Sequence, residues 1–299
     1  MTLTAIVTLA GVVAAACAGG SGPSDESSGT PTGDEALPVD RPRRLAYGDH
    51  DDAFGDLWTP ASGLDEGPPP VVVLIHGGFW RDGYFLDLMD PLVPSLLERG
   101  VVVWNIEYRR VGAGGGDPET FDDVAAAIDH LAILVEEEVE LLDVDRVAVV
   151  GHSAGGQLAV WAASRPLLTE GVPGSDPVVV PTLAVSQAGV LDLVGCADSG
   201  IGGSACSDLL GATPSEAPDR YARTSPTELL PIDARVVAVH GDLDRIVPPA
   251  QSEVYVDRAV AAGSDAELQM IVGADHFSHL DPTDPAWLAV LSAVDRWRT

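Results

Sequence analysis

From about residue 70 onward, short unbroken apolar runs alternate with longer stretches in which apolar residues recur every three to four positions. The runs are VVVLI at 71–75, VVVWNI at 101–106, RVAVV at 146–150, VVVPTLAVSQ at 178–187, RVVAVH at 235–240 and ELQMIV at 267–272. A strand that is apolar at successive positions is buried on both faces, as in a parallel sheet covered by helices. The periodic stretches predict helices near 91–99, 120–142, 154–164, 249–262 and 285–297. This alternation predicts a doubly wound α/β domain, with a mostly parallel sheet and helices on both faces. Two short polar–apolar runs, 44–47 and 56–59, predict antiparallel edge strands at its start. The less regular residues 189–231 are expected to form a small cap. There is no internal repeat and no sign of a second core, so residues 41–299 are read as one domain.

The first forty residues follow a different pattern. Residues 3–16 (LTAIVTLAGVVAAA) form an uncharged run of 14 residues. A membrane-crossing helix needs roughly 20 such residues. This run has the length of a signal-peptide apolar region and ends in small residues, so 1–16 are expected to be an export signal. The junction Ala14-Ala15-Ala16-Cys17, followed by Ala18-Gly19-Gly20, resembles a bacterial lipoprotein signal, and implies that Cys17 carries the lipid. Residues 17–40 are rich in Gly, Ser, Pro and acid and are read as a flexible tether, too polar to offset their own ordering entropy. The expected location is therefore the bacterial cell surface or, without the lipid, the secreted fraction. Cys196 and Cys206 close a Gly/Ser-rich loop, and in an oxidising compartment they are expected to form a disulfide.

Charge narrows the partners. Sixteen basic against 46 acidic side chains give a formal charge of −30, and every fixed positive charge is an arginine because the chain has no lysine. Such a surface repels phosphate backbones, so nucleic acid is excluded as a partner. Anionic lipid headgroups are excluded on the same ground, which leaves only the N-terminal lipid to reach a membrane.

Candidate chemistry sits where the strands end, as expected for an open α/β sheet. After the 146–150 strand comes Gly151-His152-Ser153-Ala154-Gly155, a G-x-S-x-G turn between strand and helix that presents the Ser153 hydroxyl. A serine nucleophile needs a base. Of the seven histidines, His276 lies just beyond the last strand and is the candidate. His279 is expected to pack or cap its loop and His76 and His152 to orient backbone; His130 lies on a predicted helix, His50 near the N-terminal edge and His240 at the end of a strand. The base needs a carboxylate that fixes its tautomer. Asp244, in Gly241-Asp242-Leu243-Asp244-Arg245-Ile246-Val247-Pro248, is the candidate, with Asp242 its near rival and Asp192 a distant third. His76-Gly77-Gly78-Phe79-Trp80 follows the first buried strand and offers the amides of Gly78 and Phe79, with that of Ala154, as an oxyanion hole. Phe79, Trp80, Tyr84, Trp161 and Phe277 are candidate pocket walls or core, while Tyr108 and Arg109 are expected to brace a loop.

Taken together, the HGGFW run, Glu107-Tyr108-Arg109-Arg110, the serine turn, the Asp244 turn and His276 resemble the α/β-hydrolase superfamily. The nearest likeness is to its HGG-x-W esterases and kynurenine-formamidase-like branch, over about residues 47–297. The order Ser153, Asp244, His276 is that superfamily's order. The resemblance implies an α/β-hydrolase fold. It also implies cleavage of a carboxylic ester or similar acyl bond in a small molecule, through an acyl-serine and without metal or organic cofactor. A peptidase, amidase or arylformamidase on the same machinery is the alternative. So is a non-catalytic binding protein, although such proteins usually lose a triad member.

Overall fold

The computed structural model describes residues 41–61, 67–137 and 141–299. The expected signal, Cys17 and the tether lie outside the described residues. Eight strands form one sheet: β1 (Arg43–Ala46), β2 (Phe54–Trp58), β3 (Pro70–Ile75), β4 (Val102–Ile106), β5 (Asp143–His152), β6 (Leu183–Gln187), β7 (Arg235–Gly241) and β8 (Ala266–Ile271). Their order across the sheet is β1-β2-β4-β3-β5-β6-β7-β8. The pairs β1–β2 and β2–β4 are antiparallel and the other five are parallel. The two short N-terminal runs thus form the antiparallel edge.

The sheet's pleat explains why its central strands are largely apolar. Val71, Val73 and Ile75 of β3 join one core with Trp104, Val147, Val149, Ala184 and Val236. Val72 and Leu74 join the other with Val103, Val150, Val185 and Val239. Successive side chains point to opposite faces, so a strand covered on both sides is apolar at most positions, and the buried polar residues Asn105 of β4 and Ser186 and Gln187 of β6 fall near the carboxyl ends. The first core is closed by α2 (Glu119–Glu136), α3 (Ala154–Ser164) and α7 (Ala250–Ala262). The second is closed by α1 (Val93–Leu97) and α8 (Pro285–Arg298). In α8 the buried Trp287, Val290, Leu291 and Val294 fall at i, i+3, i+4 and i+7, the single stripe a helix needs to lie on a sheet.

Two elements stop short of the sequence pattern. Helix α2 ends at Glu136 rather than near residue 142, and its last turn holds no basic residue. Acid at the carboxyl end of a helix opposes the macrodipole. Residues 178–180 stay out of β6: Val178 and Val180 are exposed, and the N–H groups of Val178 and Val179 donate to Asp129 at 3.0 Å. Pro181 follows and has no N–H for a ladder.

The segment 189–231 folds as three short helices, α4 (Leu193–Ser199), α5 (Ala205–Leu210) and α6 (Pro218–Thr224). A disulfide joins Cys196 of α4 to Cys206 of α5. This segment packs on the first core rather than over the cleft described below.

Candidate active site

Chain order reverses across the sheet at β3, with β4 on one side of it and β5 on the other, and crevices open at such points beyond the strand ends. Here β5 turns into α3 through Ser153, whose φ of 56° and ψ of −117° are forced by the tight turn. Holding a non-glycine residue there costs on the order of 1–3 kcal/mol, which the surroundings must over-determine. The Ser153 N–H donates to the carbonyl of Gln187 at the end of β6 at 2.8 Å. The glycine at 155 is a packing requirement: a Cβ there would sit 2.1 Å from the carbonyl oxygen of Ile75 on β3. Without it α3 could not lie close enough to β3 to aim its amino end at the crevice.

Asp244 and His276 arrive from the loops after β7 and β8. His276 Nδ1 lies 2.7 Å from Asp244 Oδ2, and both side chains are buried. The other oxygen, Oδ1, accepts the N–H groups of Ile246 at 2.8 Å and Val247 at 2.9 Å. Burial pushes the Asp244 carboxyl up. Hydrogen bonds from His240, His276 and the Val247 amide, with the attraction of His276, outweigh burial and hold it well below the usual carboxylate range. An ionised carboxylate on Nδ1 leaves Nε2 of His276 as the basic nitrogen.

His152 supports this histidine from behind. Its Nε2 donates to the His276 carbonyl at 2.9 Å, and the two rings lie 4.7 Å apart. Burial, then repulsion from His276, push His152 down to about 3, so it stays neutral.

The loop after β3 carries three successive residues of positive φ: Gly78 at 117°, Phe79 at 53° and Trp80 at 55°. A buried polar cluster holds it there. His76 Nε2 meets Glu107 Oε1 at 2.8 Å, the Tyr108 hydroxyl donates to the His76 carbonyl at 3.0 Å, and Arg110 binds Glu107. Glu107 also accepts the N–H groups of Tyr108 and Leu86. Burial raises the Glu107 carboxyl, but its bond to His76 and its other partners bring it below the usual range. Trp80 is fully buried, its indole N–H donating to Gln157 of α3 at 3.1 Å. Among the described residues, the N–H groups of Gly78, Phe79 and Ala154 meet no acceptor. They are therefore free to bind a substrate oxygen.

Ser153 and His276 line one cleft of about 130 Å³, with Gly78, Phe79, Tyr84, Leu88, His152, Ile246, Phe277 and Leu280. No Asp, Glu or Arg side chain lines it. Tyr84 and Phe277 are half exposed at its mouth.

The remaining candidates separate cleanly. Asp242 is an exposed turn residue accepting the Gly273 N–H, and Asp192 caps the amino end of α4. Of the five aromatic candidates, Phe79, Tyr84 and Phe277 line the cleft, whereas Trp80 and Trp161 are core. Tyr108 and Arg109 are turned to the protein, Arg109 pairing with Asp123 at 2.7 Å. His279 is buried with neither ring nitrogen hydrogen-bonded. His240 lies at the end of β7 as expected, and it also reaches the site: its Nε2 lies 3.4 Å from Asp244 Oδ2. Its position closing a strand gave no signal of this, since a packed histidine there has the same local pattern. Among the described residues no cluster of three His, Cys, Asp or Glu side chains is arranged to hold a metal ion.

The family model described as BD-FAE matches residues 56–258. An isoprenylcysteine alpha-carbonyl methylesterase of Arabidopsis thaliana is 25% identical over 78% of this chain, which spans only 56% of that protein's length. A monoacylglycerol lipase of Mycolicibacterium smegmatis is 26% identical over 81% of this chain and 91% of its own. A truncated carbohydrate esterase from gut microbiota superposes with a TM-score of 0.74 at 19% identity, covering 85% of this chain and 95% of that one. That likeness confirms the α/β-hydrolase fold.

Proposed function

This chain belongs to the BD-FAE family of α/β-hydrolase esterases, and from that premise we propose that it is a carboxylic ester hydrolase working through an acyl-serine on Ser153. The observation that carries the reading is the meeting of Ser153 and His276 in one apolar cleft, with His276 held 2.7 Å from the ionised Asp244. His276 Nε2 takes the Ser153 proton as the oxygen attacks the ester carbonyl. The developing oxyanion is met by the amides of Gly78, Phe79 and Ala154 and by the amino end of α3; one such donor supplies about 3–4 kcal/mol in the transition state. His276 then gives its proton to the leaving alcohol, and water on the same base releases the acid. Asp244 keeps the imidazole in the required tautomer throughout.

The cleft's size and lining bear on the substrate. An apolar cavity of about 150 Å³ takes a benzene molecule. A cleft of about 130 Å³ therefore suits a short acyl chain or a single ring, and its lining offers no partner for a charged group.

The test pairs fluorophosphonate labelling with a panel of nitrophenyl esters from acetate to laurate, an aryl formamide and a peptide amide. The expected outcome is labelling that disappears in Ser153→Ala, and kcat/KM that peaks at short acyl groups and falls at least tenfold by laurate. Folded parent protein that resists labelling, or Ser153→Ala that retains hydrolysis, sinks the acyl-serine reading. Preference for the formamide or the peptide amide would move the reading to those amide hydrolases.

A further inference from the structure

Asp244 is bound by two imidazoles rather than one. His276 Nδ1 takes Oδ2 at 2.7 Å, and His240 Nε2 approaches the same oxygen at 3.4 Å. His240 is fully buried at the end of β7. Its Nε2 also lies 2.9 Å from the carbonyl oxygen of Val247, and its Nδ1 2.8 Å from the hydroxyl of Ser252 on α7. A carbonyl oxygen only accepts, so the proton is on Nε2, donated to Val247 with the carboxylate oxygen the next acceptor within reach. The Ser252 hydroxyl completes the ring by donating to Nδ1.

We propose that His240 is a positioning residue for the reaction: its Nε2–H fixes the Asp244 carboxylate and moderates that carboxylate's pull on the His276 proton. The inference rests on the triad reading above.

Each Asp244 oxygen then faces two donors: the amides of Ile246 and Val247 on Oδ1, and the two imidazoles on Oδ2. A carboxylate met on both oxygens in this way resists rotation away from His276. It is also less basic than one bound by His276 alone, and of the bonds that lower the Asp244 carboxyl, His240's ranks first. The donor matters to the base because Asp244 and His276 share a proton-bearing bond. Remove it, and more negative charge remains on Oδ2 to stabilise the His276 imidazolium. The base then gives up its proton only at higher pH, and the acid limb of the rate profile moves upward. The other titratable groups facing this cluster are His152 at the end of β5 and His279 after β8, both held neutral by burial; His152 donates its Nε2–H to the His276 carbonyl and His279 makes no ring hydrogen bond, so neither donates to Asp244. Helix α7 presents only the uncharged Ser252 to His240.

The experiment measures kcat, KM and the pH dependence of kcat/KM, with thermal unfolding as control, for His240→Met, His240→Gln, Ser252→Ala and Ser153→Ala. Methionine fills the space without a donor, whereas glutamine carries an amide N–H to the Nε2 position. For His240→Met we expect kcat about tenfold lower, KM within twofold, and the acid limb displaced upward by at least half a pH unit. His240→Gln is expected to return kcat to within about threefold of the parent. Ser252→Ala, which frees the ring, is expected to shift the same limb in the same direction by less, and it carries the test if His240→Met does not fold. Equal behaviour of the Met and Gln variants, or an unmoved acid limb in folded His240→Met or Ser252→Ala, overturns the inference. Retained hydrolysis by Ser153→Ala removes the triad reading instead, so the two failures are distinguishable.

Discussion

His152 and Asp244 tie the stability of the fold to pH through the same contacts that build the site. His152 is pushed down to about 3 by burial, so an unfolded chain binds its proton near pH 6.5 while the folded chain refuses it. A depressed histidine makes stability fall as pH drops below about 6.5, with a slope of roughly 1.4 kcal/mol per unit for one proton. His279, buried and driven down in the same direction, adds to that slope. Asp244 acts lower. Its depressed carboxyl contributes stability present above about 3.9, lost as pH falls toward its folded value. Urea unfolding between pH 7 and 4.5 should therefore show a steep decline in the parent and a slope shallower by about one proton in His152→Gln. Parallel curves would dismiss His152 as a source. Part of this was legible in the sequence: motifs after the strands now seen as β5, β7 and β8 marked Ser153, Asp244 and His276. His240 was not, because a histidine closing a buried strand has the same local pattern whether it packs or donates.

At the scale of elements, the disulfide-closed loop between α4 and α5 does more than join two helices. Gly202 in that loop has a φ of +66°, and a Cβ there would sit 2.4 Å from the Phe79 ring. Arg81 ties the same two regions, its guanidinium 2.9 Å from Asp208 and 3.2 Å from the Ser204 hydroxyl. Phe79 thus keeps its positive φ partly because the 196–206 loop backs its ring. Replacing both cysteines by serine should lower stability by about 2–3 kcal/mol, read from denaturant unfolding. Gly202→Ala should lower kcat about tenfold and also lower the unfolding midpoint, since a methyl on this left-handed backbone strains the loop and displaces Phe79, whose amide is an oxyanion donor. A parent-like kcat in that variant would uncouple the loop from the chemistry. The central strands could be read directly because burial on both faces disfavours polar residues, a mark most of their positions carry. The three short helices of 193–224 could not, because each is too brief for a period to register and is held by packing rather than by its own pattern.

At the scale of the whole molecule, the charge of −30 and the absence of lysine still argue against nucleic acid and anionic surfaces as partners. Export is a proposal that the Cys196–Cys206 disulfide supports, since such bonds persist in oxidising compartments. Expressed with its leader in a bacterium, the chain should partition with membranes and incorporate labelled palmitate, and Cys17→Ala should release it. Equal partitioning of both forms would reject the lipid anchor. What the amino-acid sequence determined by itself is the layered α/β fold and the loops that carry chemistry, because burial and turn geometry constrain residue type locally. Only the tertiary structure decided that two imidazoles share one Asp244 oxygen, that the expected cap backs Phe79 instead of lining the cleft, and that the cleft is small. These depend on distances between residues far apart in the chain, which no local pattern records.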